Sequence, residues 1–201
     1  MNLKEIVKRG LRYVLKGVPD VTVVADIHYT SPSACLNKKN IIITGGGRGL
    51  GYAMAKKFVA EGANVLISGR NESVLRDSAK EIGCQYLTLD VNDTNSFPSF
   101  ISRAEELLGE IDCLVNNAGI SLHENSFLEV SPKQFDSQFD TNLKGAFFLT
   151  QCFIERSLKA NRGNMKKILF TSSETSMTVD ERPYGLTKAA MNSLVQGLAY
   201  R

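Results

Sequence analysis

The chain has 201 residues, of which 43% are hydrophobic, and carries a formal net charge of +3. This length suits one compact domain that can bury a core without disulfide bonds or structural metals. A charge this small does not indicate a nucleic-acid partner. The four cysteines are too widely spaced for a zinc site or a disulfide framework, so we expect reduced, buried and inert thiols at Cys35, Cys84, Cys113 and Cys152.

The net positive charge of the chain comes from its first 17 residues. They contain five Lys or Arg residues and one Glu, which leaves the rest of the chain at −1. Apolar residues recur between the basic ones at helical spacing, so residues 1–17 predict a basic amphipathic helix. Its apolar side could pack on the protein itself or on a second subunit, which we favour, or contact an anionic membrane or a partner. A mitochondrial presequence is disfavoured because the segment lacks serine and a processing site.

No segment is apolar and long enough to span a bilayer, and the N-terminus has no secretory signal. We therefore expect a cytoplasmic protein, with peripheral membrane contact through residues 1–17 left open. Residues 18–38 contain Pro19 and the run Thr30-Ser31-Pro32-Ser33, which predicts an irregular connector.

From residue 39 onward, short apolar runs alternate with segments of helical periodicity. We predict strands over 41–44, 64–68, 85–90, 111–115 and 167–171. The predicted helices cover 50–61, 72–82, 95–108, 132 to about 160 with room for an interruption, and 183 to the C-terminus. Apolar strands separated by helices indicate an α/β fold, a doubly wound parallel sheet with helices on both faces. Right-handed crossovers then give the Rossmann-like strand order 3-2-1-4-5.

A glycine-rich loop follows the first predicted strand. The segment Thr44-Gly45-Gly46-Gly47-Arg48-Gly49-Leu50-Gly51 lies directly behind Ile41-Ile42-Ile43 and opens a helix. Backbone amides exposed at the positive end of a helix dipole are suited to the pyrophosphate of a dinucleotide. A purely structural glycine turn is the alternative, which the strand-loop-helix context disfavours.

Tyr184 and Lys188 stand four residues apart on the last predicted helix and therefore share one face of it. A phenol has a pKa of about 10 and exchanges protons poorly near neutral pH unless a neighbouring positive charge stabilises its anion. The pair is therefore a candidate for the proton transfer that accompanies hydride transfer.

Five motifs follow one another along residues 39–201. They are the glycine loop, Asn116-Asn117-Ala118-Gly119, Asn142 within Thr141–Gly145, the pair Ser172-Ser173 at a strand end, and Tyr184-x-x-x-Lys188. Together, and in this order, they resemble the short-chain dehydrogenase/reductases. Arg48 stands where the sugar-epimerase branch has glycine, so the chain is similar to the single-domain branch of 3-oxoacyl-carrier-protein reductases and sugar dehydrogenases.

The resemblance implies a nicotinamide dinucleotide as cofactor and no metal. The implied cofactor-binding residues are Thr44, Gly45, Gly47, Arg48, Gly49, Leu50, Gly51, Arg70, Asp90, Val91, Asn117, Ala118, Gly119, Tyr184 and Lys188. Folds that prefer NAD carry an acidic residue near the end of the second strand, whereas this chain has Ile67-Ser68-Gly69-Arg70 there. Arg48 and Arg70 could pair with a 2′-phosphate, so we expect NADP(H) to be preferred over NAD(H).

The resemblance also implies the catalytic roles. Tyr184 would exchange a proton with the substrate oxygen, Lys188 would stabilise its anion, and Ser173 would hydrogen-bond that oxygen. Asn142 would hold a water that links Lys188 to solvent. Ser172 remains an alternative to Ser173, and the short spacing from Ser173 to Tyr184 indicates an altered loop between them.

The relatives of this family continue beyond the Tyr184 helix, whereas this sequence stops at Arg201. We therefore expect a Rossmann domain over residues 39–201 that lacks the last family strands. Two functions stay open: an oxidoreductase acting on a small-molecule carbonyl or alcohol, and an NADPH-binding or interaction module without turnover. The resemblance also implies a homodimer or homotetramer.

Overall fold

The computed structural model describes residues 35–160, 166–178 and 180–200. The helix predicted over residues 1–17, and the connector predicted over 18–38 up to residue 34, lie outside the described residues. Residues 35–38 form a turn that leads into the first strand. Lys38, the last residue of this turn, donates its backbone N–H to the carbonyl of Gly62 at 2.9 Å.

Five parallel strands form one sheet with the order β3-β2-β1-β4-β5, which confirms the predicted topology. The strands are β1 (Asn40–Thr44), β2 (Asn64–Gly69), β3 (Gln85–Thr88), β4 (Cys113–Asn116) and β5 (Lys167–Phe170). Strand β3 ends two residues earlier than predicted, because Asp90 accepts a hydrogen bond from the N–H of Asn92 and turns the chain.

Six α-helices of the described residues connect these strands or follow them. They are α1 (Gly49–Ala60), α2 (Glu72–Ile82), α3 (Phe97–Leu108), α4 (Pro132–Phe139), α5 (Gly145–Ala160) and α6 (Pro183–Ala199). A π-helical segment, Asp140–Lys144, joins α4 to α5. The predicted long helix is therefore interrupted, and the interruption contains Asn142.

The two faces of the sheet are covered by different helices, which follows from the period of two in the strands. Ile42, Leu66 and Leu114 pack with residues of α3 and α5, such as Phe100 and Leu149. Their neighbours along the strands pack on the other side against α1 and α2, and these are Ile41, Ile43, Val65, Ile67 and Val115. Residues that leave the ends of the strands are thereby held between two packed layers.

The expectation that all four cysteines are buried is wrong in part. Cys35 is exposed in the turn before β1, and Cys84 and Cys152 are half-buried. Only Cys113, inside β4, belongs to the core. Burial raises the pKa of Cys84 and of Cys113 to about 11, so neither is a thiolate at neutral pH.

Candidate active site

A cavity of about 560 Å³ opens at the carboxyl ends of the strands. It extends from the loop after β1, past the ends of β2, β3 and β4, to the start of α6. Most of the residues predicted to bind a cofactor line it, namely Gly45, Gly47, Arg48, Leu50, Gly51, Arg70, Asp90, Val91, Asn117, Ala118, Gly119, Tyr184 and Lys188. Thr44, Gly49, Asn142 and Ser173 do not line it.

The glycine loop is shaped by close approach of backbone to backbone. Gly45 has φ +66°, and a Cβ there would lie 2.9 Å from the Cα of Ala118. A Cβ on Gly51 would lie 2.5 Å from Asn117 Nδ2 and closer still to the carbonyl oxygen of Gly45. The Ala118 Cα and the Gly45 carbonyl oxygen are backbone atoms, which cannot move aside as a side-chain end could. Both positions therefore require glycine, and the start of α1 stays open to a ligand.

Thr44 supports this loop from behind. Its hydroxyl accepts hydrogen bonds from the N–H groups of Asn117 and Ala118, both at 3.0 Å. The Asn117 amide in turn donates to the carbonyls of Thr44 and Gly45 at 3.0 and 3.2 Å. These four bonds tie the end of β1 to the end of β4, so Thr44 fixes the cavity wall without being part of it.

The glycine loop and the end of β2 present cationic and neutral polar groups to the cavity. Arg48 and Arg70 are exposed, line the cavity and have no ion-pair partner among the described residues. Ser68 is fully buried, and its hydroxyl, also at the cavity wall, finds no hydrogen-bond partner there. A group with anionic or hydroxyl oxygens would satisfy these donors.

Tyr184 and Lys188 occupy the opposite end of the cavity. Pro183 begins α6, and one turn later Lys188 places its Nζ 5.6 Å from the centre of the Tyr184 ring. Lys188 is almost completely buried and donates to the carbonyl of Thr171 at 2.7 Å. Burial lowers the pKa of Lys188, because the charged form loses hydration.

Asn142 lies beside this pair, in the π-helical segment. Its Oδ1 accepts from the N–H of Ile120 at 2.7 Å, and its Nδ2 donates to the carbonyl of Ile120 at 2.8 Å and to Thr187 Oγ1 at 3.2 Å. A Cβ on Gly119 would lie 3.2 Å from Asn142 Oδ1 and 3.8 Å from Lys188 Nζ. Gly119 therefore lets the asparagine and the lysine approach the same wall.

Ser173 lies in the loop between β5 and α6. It caps the 3-10 turn Glu174–Ser176, and its Oγ accepts from the N–H and the hydroxyl of Thr175 at 3.3 and 3.1 Å. Its own hydroxyl hydrogen remains for a further acceptor. The alternative residue, Ser172, is exposed and donates to Asn192 Oδ1 at 2.7 Å, so its hydrogen is already used.

Sequence reasoning missed several residues that shape the site. Asp180 lies against Gly185, where a Cβ would come within 2.6 Å of the Asp180 Cβ and closer still to its carboxylate. The same carboxylate accepts from the N–H and the Nε of Arg182 at 3.1 and 2.9 Å. Together they anchor the loop to the first turn of α6. A glycine beside Tyr184 was the available signal, whereas nothing in the sequence pointed to Asp180.

Two kinds of feature are absent from the described residues. No group of three or more His, Cys, Asp or Glu side chains is placed to hold a metal ion. Likewise, no helix within the described ranges is both long enough and apolar enough to cross a membrane.

Comparison with known proteins gives consistent matches to one family. The family model described as short chain dehydrogenase matches residues 39–201. Oxidoreductase UcpA of Salmonella typhimurium is 33% identical over 171 residues, which are 82% of this chain and 64% of that protein. An uncharacterized oxidoreductase of Bacillus subtilis, YvrD, is 32% identical over 171 residues, 82% of this chain and 63% of that protein. The chain thus spans under two thirds of the length of these two relatives.

Solved structures show the same relationship. A short chain dehydrogenase from Bacillus anthracis superposes with a TM-score of 0.77 at 26% identity, covering 83% of this chain and 70% of that one. A 3-oxoacyl-[acyl-carrier protein] reductase from Brucella melitensis, solved in complex with NAD, gives a TM-score of 0.71 at 32% identity. That match covers 80% of this chain and 66% of the reductase.

Proposed function

The chain belongs to the short-chain dehydrogenase family, and from this premise we propose that it is an NADP(H)-dependent oxidoreductase acting on a carbonyl or a secondary alcohol. One observation carries the proposal. The glycine loop and the pair Tyr184–Lys188, more than 130 residues apart in sequence, line the same cavity of about 560 Å³. This shared lining supports an arrangement in which one ligand contacts both a phosphate-binding backbone and a proton donor.

The residues present fit a nicotinamide dinucleotide. Gly45 and Gly51 leave room for a pyrophosphate at the N-terminus of α1, and the unpaired Ser68 hydroxyl lies at the cavity wall, where adenosine ribose oxygens could satisfy it. Gly119, Tyr184 and Lys188 would face the nicotinamide end. When bound, the coenzyme supplies or accepts the hydride.

The preference for NADP(H) rests on charge. Arg48 and Arg70 line the cavity without a partner among the described residues, and β2 ends without a carboxylate that would bind a 2′-hydroxyl and repel a 2′-phosphate. The NAD bound in the Brucella structure is the coenzyme of that reductase and is not transferred to this chain. For this chain we propose a 2′-phosphate between the two guanidinium groups.

Tyr184 then exchanges a proton with the substrate oxygen. The Lys188 ammonium stabilises the phenolate left after donation, and its bond to the Thr171 carbonyl keeps the amine on the Tyr184 side of the helix. Ser173, whose hydroxyl hydrogen is free of intramolecular bonds, donates to the same substrate oxygen as negative charge develops on it. Both amide hydrogens of Asn142 are donated to protein groups, so the proposed water would depend on other atoms of this residue.

Dinucleotide binding without turnover is the second candidate. Ser173 favours it, because this residue does not line the cavity in which Tyr184 lies. Reduction would require the loop of Ser173 to bring its hydroxyl to the substrate oxygen.

We also propose that the chain assembles into a homodimer or homotetramer. Phe147 and Phe148 on α5 are each 41% exposed, and Phe135 on α4 is 39% exposed. Large exposed aromatic side chains on two successive helices are suited to contact with a second copy. Light scattering of the purified chain would show a dimer or tetramer, and a monomer at every concentration would reject this proposal.

The test combines binding and turnover. Purified chain is titrated with NADPH and with NADH by fluorescence and then assayed with a panel of ketones and secondary alcohols. The proposal expects tighter binding of NADPH and turnover that is lost in Tyr184→Phe. Binding without turnover on any carbonyl would support the second candidate, and absence of dinucleotide binding would reject both.

A further inference from the structure

We propose that Thr187 is a positioning residue for Tyr184, an assignment that rests on the proposed reductase function. Its hydroxyl joins the helix that carries Tyr184 and Lys188 to the Asn142 amide and, through that amide, to the backbone after β4 that forms the cavity wall. Thr187 itself does not line the cavity.

The hydrogen bonds around Thr187 have only one consistent arrangement. The carbonyl of Tyr184 can only accept, so the Thr187 hydroxyl donates to it, at 2.7 Å. The same oxygen must then accept from Asn142, at 3.2 Å, which makes the facing atom of the amide its Nδ2. The Ile120 N–H can only donate, and it meets Asn142 Oδ1 at 2.7 Å. The Thr187 hydroxyl and the Ile120 N–H therefore both require the same orientation of the Asn142 amide.

These bonds hold three separate segments together. Thr187 belongs to α6, Asn142 to the π-helical segment, and Ile120 to the backbone that follows β4 and lines the cavity. Next to Asn142, Thr141 donates to Asn92 Oδ1 at 3.2 Å, and Asn92 also lines the cavity. The place of Tyr184 relative to the cavity wall is thus set by side-chain bonds that converge on Asn142.

A buried Thr187 hydroxyl destabilises the fold unless it is hydrogen-bonded, as it is here to the Tyr184 carbonyl and to Asn142. Thr187 and Asn142 are both fully buried, and a buried hydroxyl or amide without a partner destabilises the fold. Valine has the same shape as threonine but no hydroxyl. Thr187→Val would leave an Asn142 hydrogen without an acceptor, and α6 would lose this hydrogen bond to the π-helical segment.

The expected consequence is a misplaced phenol. Proton transfer needs the Tyr184 oxygen within hydrogen-bond reach of the substrate oxygen, and a displacement of about 1 Å can lower the rate about 10²-fold. Coenzyme binding at the glycine loop does not pass through Thr187. We therefore expect a loss in kcat with little change in the dissociation constant for NADPH.

The experiment compares Thr187→Val with Thr187→Ser and with Thr150→Val. Thr150 is a matched control: it is also a buried threonine, and its hydroxyl accepts from an asparagine amide, Asn116 Nδ2, at 2.9 Å. It lies on α5 and does not line the cavity. Each variant is measured for kcat, KM, the solvent deuterium isotope effect on kcat, NADPH affinity and thermal stability.

Thr187→Val should lower kcat at least about tenfold and raise the solvent isotope effect, while NADPH affinity stays within about twofold of wild type. Thr187→Ser should restore kcat, and Thr150→Val should lose stability but keep kcat. Equal kcat in wild type and Thr187→Val, or equal kcat losses in the two valine variants, would overturn the assignment.

A second measurement needs neither coenzyme nor substrate. Amide hydrogen exchange of the free protein should quicken over residues 183–188 and 119–121 in Thr187→Val, and not in Thr187→Ser or Thr150→Val. Unchanged exchange in those segments would overturn the positioning role even if the wild type showed no turnover. Exchange that behaves as expected, in a protein that reduces no carbonyl, would instead reject the proposed function alone.

Discussion

The two ends of the cavity are built in different ways. At the end formed by β1, α1 and β2, the shape is set by close backbone contacts of the glycine loop, where Gly51 meets the Gly45 carbonyl and Gly45 meets Ala118. At the end formed by α6, the arrangement depends on the side chains of Asn142, Thr187 and Lys188, whose hydrogen bonds join α6 to the π-helical segment and to the backbone after β4 and β5. The first end resists small changes through sterics, whereas the second depends on individual hydrogen bonds.

The largest expected effect is on turnover at the α6 end. Tyr184→Phe removes the proposed proton donor and should lower kcat about 10²- to 10⁴-fold, the usual contribution of a positioned acid–base group. Steady-state assays with NADPH and the best carbonyl substrate measure the loss. Tyr200→Phe, at a tyrosine that is 94% exposed, is the control and should keep full activity. A Tyr184→Phe variant as active as wild type would remove Tyr184 from the mechanism.

At the glycine-loop end, Gly51→Ala should act through sterics. The new methyl group would collide with the Gly45 carbonyl and the Asn117 amide, which should cost about 1–3 kcal/mol of stability and weaken NADPH binding. Urea unfolding and a fluorescence titration measure both effects. Gly197→Ala is the control, since a methyl group there, inside α6, meets no atom within 4 Å and should leave binding unchanged. Tight NADPH binding by Gly51→Ala would contradict the close approach proposed for the pyrophosphate.

A smaller effect is expected on the preference between the two coenzymes, which we assign to Arg70 after β2. Arg70→Ala should lower the preference for NADPH over NADH about tenfold or more, because a hydrogen bond to a charged group contributes about 1.5–3 kcal/mol. The ratio of the two dissociation constants is the measurement. Arg76→Ala is the control, since Arg76 pairs with Glu72 at 3.1 Å and does not line the cavity. An unchanged ratio would assign the preference to other residues.

The smallest effect concerns pH and Lys188. Burial lowers the folded-state pKa of this lysine below its usual 10.5, so between these two values the unfolded chain binds more protons than the folded one. The free energy of unfolding of the wild type should therefore rise relative to Lys188→Met as the pH increases from about 7 to 10. Urea unfolding of both proteins without coenzyme gives the difference. A difference that stays constant or falls with pH would contradict the burial of a charged amine.

The sequence predicts the first end of the cavity well because its determinants are local. A buried strand, a glycine loop and a helix start follow one another within Ile41–Gly51, and the structure brings them together as adjacent segments. The strand order also follows from local patterns combined with the right-handed crossover rule.

The second end could be predicted only in part. Tyr184 and Lys188 are one helical turn apart, so their proximity is visible in the sequence. The contacts of Asp180 with Gly185, and of Asn142 with Ile120 and Thr187, depend on how distant segments pack. The short spacing before α6 predicts an altered loop, whereas the capping role of Ser173 could be found only from the structure.

Hydride transfer between coenzyme and substrate beside Tyr184 can be followed with an isotope label. The purified chain is incubated with a ketone and NADPH that carries two deuterium atoms at the reactive carbon of its nicotinamide, so that transfer from either face delivers deuterium. We expect an alcohol with one deuterium on the former carbonyl carbon, formed by wild type and not by Tyr184→Phe. An alcohol without deuterium, or a protein that binds no dinucleotide, would contradict the account.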